Sequence, residues 1–538
     1  MKTNIQLLDC TLRDGAYITN GDFGVPVIVG IIKKLSDAKI DIIECGWLKN
    51  QEHEKGSSYY HVPSDLEEYL RRKDPDKVYV AMIDWDRYDV SNLPVYDGRS
   101  LDAIRVVFPH GKHKEGIAIA QEIKEKGYKV FLQAANTLAY TDEELIDLVK
   151  HVNRLKPVSI SVVDTFGAMY PDDLDRIVSV MDSELDNEIS IGFHSHNNMQ
   201  LSFALSMHFV EFLSGKRNII LDSSLCGMGR GAGNATTELV VSYLNKKWNK
   251  DYDLNDIMDA IDLYMVTFQQ NYQWGYSTPY FIAGLYQCHV NNIAYLQKNH
   301  RTNSKDMRSI IESLPADDRR KYDYDLLEKK YLENQNRKVN DEEAMTYLRD
   351  TLKDRAVLLI GPGLTSRTEY DKAEKYIKDK NPVIFFVNAL NPLYKGDYLF
   401  LISAGRYDYA KEIYASQFME TKKILLSNIK TVGHDDELII NFDSVIKRGW
   451  EHFDNAIITC LRLMRKLSVK RVGIVGFDEF RTKYNESYAD ELLPTLDPTD
   501  IGEELNEEIQ DIFNDFLKSN KGKMDIDFVT TCIFNKDI

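Results

Sequence analysis

The sequence predicts an α/β protein in three parts. These are a (β/α)8 TIM barrel over residues 1–250, a helical extension over 251–354, and a Rossmann-like α/β domain over 355–538. Three observations predict it. At 538 residues the chain is too long for a single core. Eight short apolar runs, separated by helix-period segments, fill the first ~230 residues, the scale of an eightfold strand–helix barrel. Polar residues gather at the C-terminal end of nearly every run, where such barrels keep their active sites.

The runs are IQLLD (5–9), DIIECG (41–46), VYVAMID (78–84), AIRVVF (103–108), KVFLQAAN (129–136), VSISVVD (158–164), ISIGFHSH (189–196) and IILDSSLCG (219–227). Each is nearly continuous in apolar residues, as parallel strands buried on both faces require. The segments 26–39, 114–127 and 141–156 carry helical periodicity. An open, doubly wound sheet can be built from the same units. The polar strand ends favour the closed barrel: Asp9, Glu44, Asp84, Asn136, Asp164, then His194 and His196, with the eighth strand leading into Cys226.

Residues 253–272, 280–299 and 341–354 read as helices of the extension, around a charged, tyrosine-bearing stretch at 300–340. A new α/β rhythm begins at 355, with strands expected in 355–366, 382–389, 398–403, 422–428, 437–442 and 470–478 and a helix over 454–470. The tail after 500 is acidic and partly helical.

Composition narrows the function. A formal net charge of −17 offers no basic stripe for nucleic acid or an anionic membrane. A small anion needs only a few local cations and stays possible. The six cysteines form no CxxC pair, which fits reduced thiols in the cytoplasm. No apolar run nears the ~18 residues that span a bilayer, and the N-terminus lacks the apolar core of a signal peptide.

His194-Ser195-His196 places two imidazoles on one face of a strand. Asp14, in the loop after the first strand, is the best third ligand, because only the eighth strand separates the first from the seventh in a closed barrel. Two imidazoles, a carboxylate and open positions suit a divalent Lewis acid: Mg2+, Mn2+, Co2+ or Zn2+. A polar strand end with satisfied histidines is the alternative. Arg13, beside Asp14, suits an enolate oxygen or a salt bridge to Asp164 or Glu44. In CGMGRGAGN (226–234) the glycines let backbone approach a ligand, and Arg230 is either an anion contact or a solvated loop residue. In the second domain LLIGPGLTS (358–366) seats either a phosphate or only a turn. It is neither a GxGxxG fingerprint nor a P-loop. Gly361, Gly363, Asn388 and Asp478 are its residues of interest.

LLDCTLRDG (7–15), IIECG (42–46), VVDTFGAMYP (162–171), GFHSHNNMQLSFALS (192–206) and GMGRGAGNATTEL (227–239) together resemble the DRE-TIM metallolyases. These include 4-hydroxy-2-oxovalerate aldolase, hydroxymethylglutaryl-CoA lyase and the isopropylmalate and homocitrate synthases. The resemblance implies Asp14, His194 and His196 as metal ligands, with Asn234 contributing. It implies Arg13 as the enolate-stabilising arginine and Glu44, Asp164 and Thr165 as strand-end residues near substrate. It makes Asp9 a supporting carboxylate rather than a ligand. The aldolases carry a histidine three residues past the metal aspartate, where this chain has Tyr17. The acid/base is then Tyr17, a metal-bound water, His53 or Tyr276, or Tyr17 only packs. The second domain is loosely similar to sialyltransferase-like domains that use nucleotide sugars.

The expected activity is a metal-dependent carbon–carbon lyase. It cleaves or joins a 2-oxo acid and an aldehyde through a pyruvate-like enolate, with Mn2+ or Mg2+ as the expected metal, and related barrels are often dimers, so a homo-oligomer is expected. The alternatives are a Claisen-type acyltransferase, a bifunctional protein of surface-polysaccharide synthesis using a nucleotide sugar, and a non-catalytic scaffold.

Overall fold

The computed structural model describes residues 4–70, 73–300, 302–335, 338–429, 437–447, 449–450, 455–481, 487–493 and 502–535. They form two compact units, Met1–Ile293 with Pro315–Tyr322, and Ala294–Leu314 with Asp323–Ile538. The segment 251–354 is thus divided between them.

In the first unit eight parallel strands close on themselves. They are β1 (Ile5–Asp9), β2 (Ile42–Leu48), β3 (Val78–Asp84), β4 (Ala103–Phe108), β5 (Lys129–Ala134), β6 (Ser159–Asp164), β7 (Ser190–Ser195) and β8 (Ile219–Ser223). Each pairs with its neighbour, and β1 pairs with both β2 and β8, which closes the barrel. The expected eight-strand barrel is borne out. Its helices obey the same physics as their sequence signals. Asp142–Leu155 starts at a Thr141/Glu144 capping box and buries Leu145, Leu148, Val149, Val152 and Leu155, one face of a 3.6-residue period.

Strand alternation decides what fills the barrel. Leu8, Ile42, Val80, Ala103, Phe131 and Ile220 form an apolar floor inside it. Two residues further along from Ile42, Ala103, Phe131 and Ile220 the same inward face presents Glu44, Arg105, Gln133 and Asp222, all buried. A charged layer therefore sits on an apolar one, directly beneath the C-terminal mouth.

The extension departs from the expected long helices. Leu254–Ala260 runs through a π-helical turn, Ile261–Met265, into Val266–Asn271. The segment 280–299 breaks into Thr278–Leu285 and Val290–His300, with Gln287 between them in the left-handed region (φ 49°). Among the described residues no helix is long and apolar enough to cross a membrane.

The second unit holds a seven-stranded parallel sheet: β9 (Val357–Ile360), β10 (Val383–Val387), β11 (Tyr398–Leu401), β12 (Lys422–Leu426), β13 (Glu437–Ile440), β14 (Arg471–Val475) and β15 (Asp525–Phe528). Their order is β13-β12-β11-β10-β9-β14-β15, and all pairings are parallel. The strand order reverses between β9 and β14, which is the topological switch point of an open α/β sheet. The helix expected over 454–470 is Ala456–Lys466, capped by Asn455; Asp454 lies outside the described residues.

Candidate metal centre and active site

β1 ends at Asp9, and the chain turns through Cys10 into one helical turn, Thr11–Asp14. Asp9 accepts from the Thr11 N–H (2.9 Å) and the Thr237 hydroxyl (2.6 Å), tying this turn to the helix after β8. Burial pushes its carboxyl up to about 6. The turn delivers Arg13 and Asp14, both buried, to the mouth.

Asp14 accepts from Asn234 Nδ2 at 2.7 Å, lies 3.4 Å from His194 Nε2, and pairs with Arg13. Burial pushes its carboxyl up, but Arg13, His194, His196 and Asn234 outweigh it and hold the group at about 2. Both imidazoles are fixed through Nδ1. His194 donates it to Asp222 at 3.0 Å, and His196 to the Asp164 backbone carbonyl at 3.0 Å. With Nδ1 so engaged, Nε2 is the nitrogen each ring would offer to a metal. Burial, with neighbouring His194, pushes His196 down to about 4, so it is neutral at ordinary pH. The rings stand 5.1 Å apart.

Asn234 is placed by the glycine loop. A Cβ at Gly229 would lie 2.7 Å from its Nδ2, and Gly233 (φ 82°) has the Gly227 carbonyl where a Cβ would go. Its Oδ1 is buried with no hydrogen-bond partner. An orphaned amide oxygen beside a carboxylate and two imidazole lone pairs fits a divalent cation. Among the described residues, Cys10, Asp14 and His194 bring donor atoms within 4.8 Å of one another. His196 lines the same cavity but stands outside that group. Burial, reinforced by Asp14, raises the Cys10 thiol well above its ordinary value, which keeps it a thiol rather than a thiolate ligand. A second group, His113, Asp147 and His151, lies on the barrel's helices.

Beneath the cluster runs a buried chain of charge. Arg13 Nε donates to Glu44 at 2.8 Å, and Arg105 donates to the same Glu44 oxygen at 2.8 Å and to Asp222, which holds His194. The Arg13 backbone carbonyl accepts from Trp47 Nε1 at 3.0 Å. Glu44 therefore positions Arg13 from below and does not line the cavity. This corrects its expected substrate contact.

Residues 110–263 match the HMGL-like family. The barrel carries an HMGL-like domain. The chain is 28% identical over 281 residues to 4-hydroxy-2-oxovalerate aldolase of Pseudoalteromonas translucida, spanning 49% of this chain and 77% of the relative. It is 28% identical over 263 residues to oxaloacetate decarboxylase of Mycobacterium tuberculosis, spanning 47% and 74%. Among solved structures it is similar to the N-terminal domain of a putative aldolase from Bacteroides vulgatus, with a TM-score of 0.49 at 25% identity, covering 57% of this chain and all of that one.

The barrel has a cavity of about 190 Å3 at its mouth, lined by Arg13, Asp14, Tyr17, His194, His196 and Arg230 among others. Thr165 lines it too, its hydroxyl accepting from the Asn136 N–H at 2.6 Å. Asp164 does not. Its neighbours Val163 and Thr165 face the cavity, so strand alternation turns Asp164 outward, where it accepts from the Ala168 and Met169 N–H groups at 2.8 and 3.1 Å. The expected substrate contact at Asp164 is thus corrected to a turn-capping carboxylate.

Tyr17 lies edge-on to Trp47 (5.7 Å) and beneath the Arg230 guanidinium (4.6 Å). Desolvation raises its phenol above the ordinary value, against Arg230 and Arg13. With 44% of its surface exposed that push is weaker than for an enclosed phenol, but its direction disfavours a phenolate. Neither alternative side chain is in place as a base. His53 engages the Tyr59 carbonyl (2.7 Å) and the Tyr69 hydroxyl (2.9 Å), and Tyr276 lines a different cavity. The residues that sequence reasoning missed are Arg105, Asp222 and His289. The helix break at 286–289 brings His289 to the mouth.

In the second unit the GPG turn lies at the switch point, yet its glycines serve backbone packing. A Cβ at Gly361 would meet the Gly476 carbonyl at 2.5 Å, and one at Gly363 the Asp478 carboxylate at 2.6 Å. Asp478 already accepts from the Thr365 N–H at 2.6 Å, where a phosphate would sit. Asn388 (φ 61°) donates its N–H to the Phe400 carbonyl. At this turn the missing side chains of Gly361 and Gly363 make room for the Gly476 carbonyl and the Asp478 carboxylate.

Proposed function

We propose that the chain is a divalent-metal-dependent aldolase-type lyase that makes or cleaves a carbon–carbon bond next to a 2-oxo acid, with Mn2+ or Mg2+ as the metal. The observation that carries the reading is the pair of imidazoles anchored through Nδ1 beside the ionised Asp14 and the orphaned Asn234 oxygen. Asp14, His194, His196 and Asn234 would hold the ion. When bound, it supplies Lewis-acid polarisation of the substrate ketone.

In the cleavage direction the hydroxyl at C4 loses its proton, the C3–C4 bond breaks, the aldehyde leaves, and the electron pair remains as the enolate of pyruvate. Protonation at C3 completes the reaction. Arg13, locked between Asp14 and Glu44, meets the negative oxygen of that enolate without having to reorganise. Tyr17, its phenol kept protonated, donates a hydrogen bond to the substrate rather than acting as the base. Six free cysteines, four of them buried, are compatible with a reducing, cytoplasmic setting.

The test is proton exchange. The protein with Mn2+ or Mg2+ and pyruvate in D2O should wash out the methyl proton signal, and His194→Ala should abolish this. Wild-type exchange no faster than with the metal ion alone would remove the enolate reading.

A further inference from the structure

The cavity has a second cationic wall that the metal centre does not use. Arg230, on the glycine loop after β8, lies over the Tyr17 ring at 4.6 Å. It donates from NH2 to Asn291 Oδ1 at 3.1 Å, and its NH1 stands 3.5 Å from His289 Nε2. All three partners are neutral. His289 is pushed down to about 3 by burial and by Arg230 itself, so it is uncharged at ordinary pH. Its Nδ1 faces the Asn291 N–H at 3.2 Å and its Nε2 faces the guanidinium, so a neutral ring has one lone pair between two donors and brings no negative charge to Arg230.

The contrast with the two arginines buried at and beneath the mouth is direct. Arg13 has Asp14 and Glu44, and Arg105 has Glu44 and Asp222. Among the described residues no carboxylate pairs with Arg230. Asp84, also on the cavity wall, faces Arg87 at 4.0 Å instead. A guanidinium held by a ring face and an amide is oriented but not neutralised, and its planar fork suits a carboxylate. A 2-oxo acid's own carboxylate and ketone are adjacent, and an ion held by Asp14, His194, His196 and Asn234 would take both, which would leave Arg230 for a different anion.

We infer that Arg230 binds an anionic group at the far end of the substrate, so that the aldehyde half of the aldol carries a carboxylate. This rests on the enolate reading above and narrows it to substrates with two acidic ends.

The test uses the full chain with Mn2+, pyruvate and one of two four-carbon aldehydes, succinic semialdehyde or butanal, following pyruvate loss. The expected kcat/KM for the anionic aldehyde is higher by roughly 10- to 100-fold, the range of a hydrogen bond to a charged group. Arg230→Met should bring the ratio close to one, chiefly through KM for succinic semialdehyde, and Arg230→Lys should restore part of it. Equal use of both aldehydes by an enzyme that exchanges pyruvate protons would overturn this inference and leave the enolate reading standing. So would an Arg230→Met variant that keeps the ratio but raises KM for pyruvate, because Arg230 would then bind pyruvate's own carboxylate. Absence of pyruvate exchange in the wild type would remove both.

Discussion

Asp222→Asn probes how the proposed metal centre is held without touching the residues proposed to hold the cation. Asp222 is buried and takes two donors on one oxygen, His194 Nδ1 at 3.0 Å and Arg105. Burial alone would raise its carboxyl, but Arg105 and His194 outweigh it and keep it ionised. The amide keeps the shape and loses the charge. The ring of His194 then loses the anion that holds its proton on Nδ1 and its lone pair on Nε2. Partners of this kind are worth about 10- to 100-fold in metal affinity, or about 1.4–2.7 kcal/mol at 1.36 kcal/mol per tenfold. Arg105 keeps Glu44 at 2.8 Å, so the variant is expected to fold. The assay is a Mn2+ titration by calorimetry on a variant whose far-UV spectrum matches the wild type. A Mn2+ affinity within twofold of wild type, in a folded variant, would refute the claim that Asp222 orients a metal ligand.

Tyr17→Phe should keep pyruvate proton exchange within about tenfold of wild type, the scale of one neutral hydrogen bond, with an unchanged pH profile; loss of a titrating limb would restore Tyr17 as the base. His289 titrates near 3 in the folded chain and near its ordinary 6.5 when unfolded, so the unfolded state gains a proton first as pH falls. Wild type should therefore lose about 2 kcal/mol relative to His289→Gln between pH 7 and pH 5, read as a difference in urea denaturation; a pH-independent difference contradicts the neutral imidazole. Gly363→Ala forces a Cβ against Asp478 and the Gly476 carbonyl and should destabilise the second unit by about 1–3 kcal/mol, seen as a lower thermal midpoint; an unshifted midpoint would reopen the turn as a ligand seat.

The barrel was legible because its strands are long apolar runs, and β1, β3 and β4 span the predicted ranges. The His-Ser-His spacing was legible for the same reason, since alternation alone puts both rings on one face. The same alternation governs the other strands. Continued from Ile42, Ala103 and Ile220 it points Glu44, Arg105 and Asp222 inward as one charged layer, and from Val163 it turns Asp164 outward. Arg105 was hidden inside AIRVVF, which reads as an apolar strand. His289 depends on a helix break at Gln287 that periodicity did not mark. In the second unit the edge strand Asp525–Phe528, DIDF, is short and half acidic, and only its pairing with β14 makes it a strand. The GPG turn resembled a ligand loop because close strand packing and phosphate binding both call for glycine.

The most direct test of the central claim is to locate the ion. Crystals soaked in Mn2+ should give an anomalous difference peak at the barrel mouth, within coordination distance of Asp14, His194 Nε2 and His196 Nε2. A peak confined to His113, Asp147 and His151, or none at the mouth at saturating Mn2+, would contradict it.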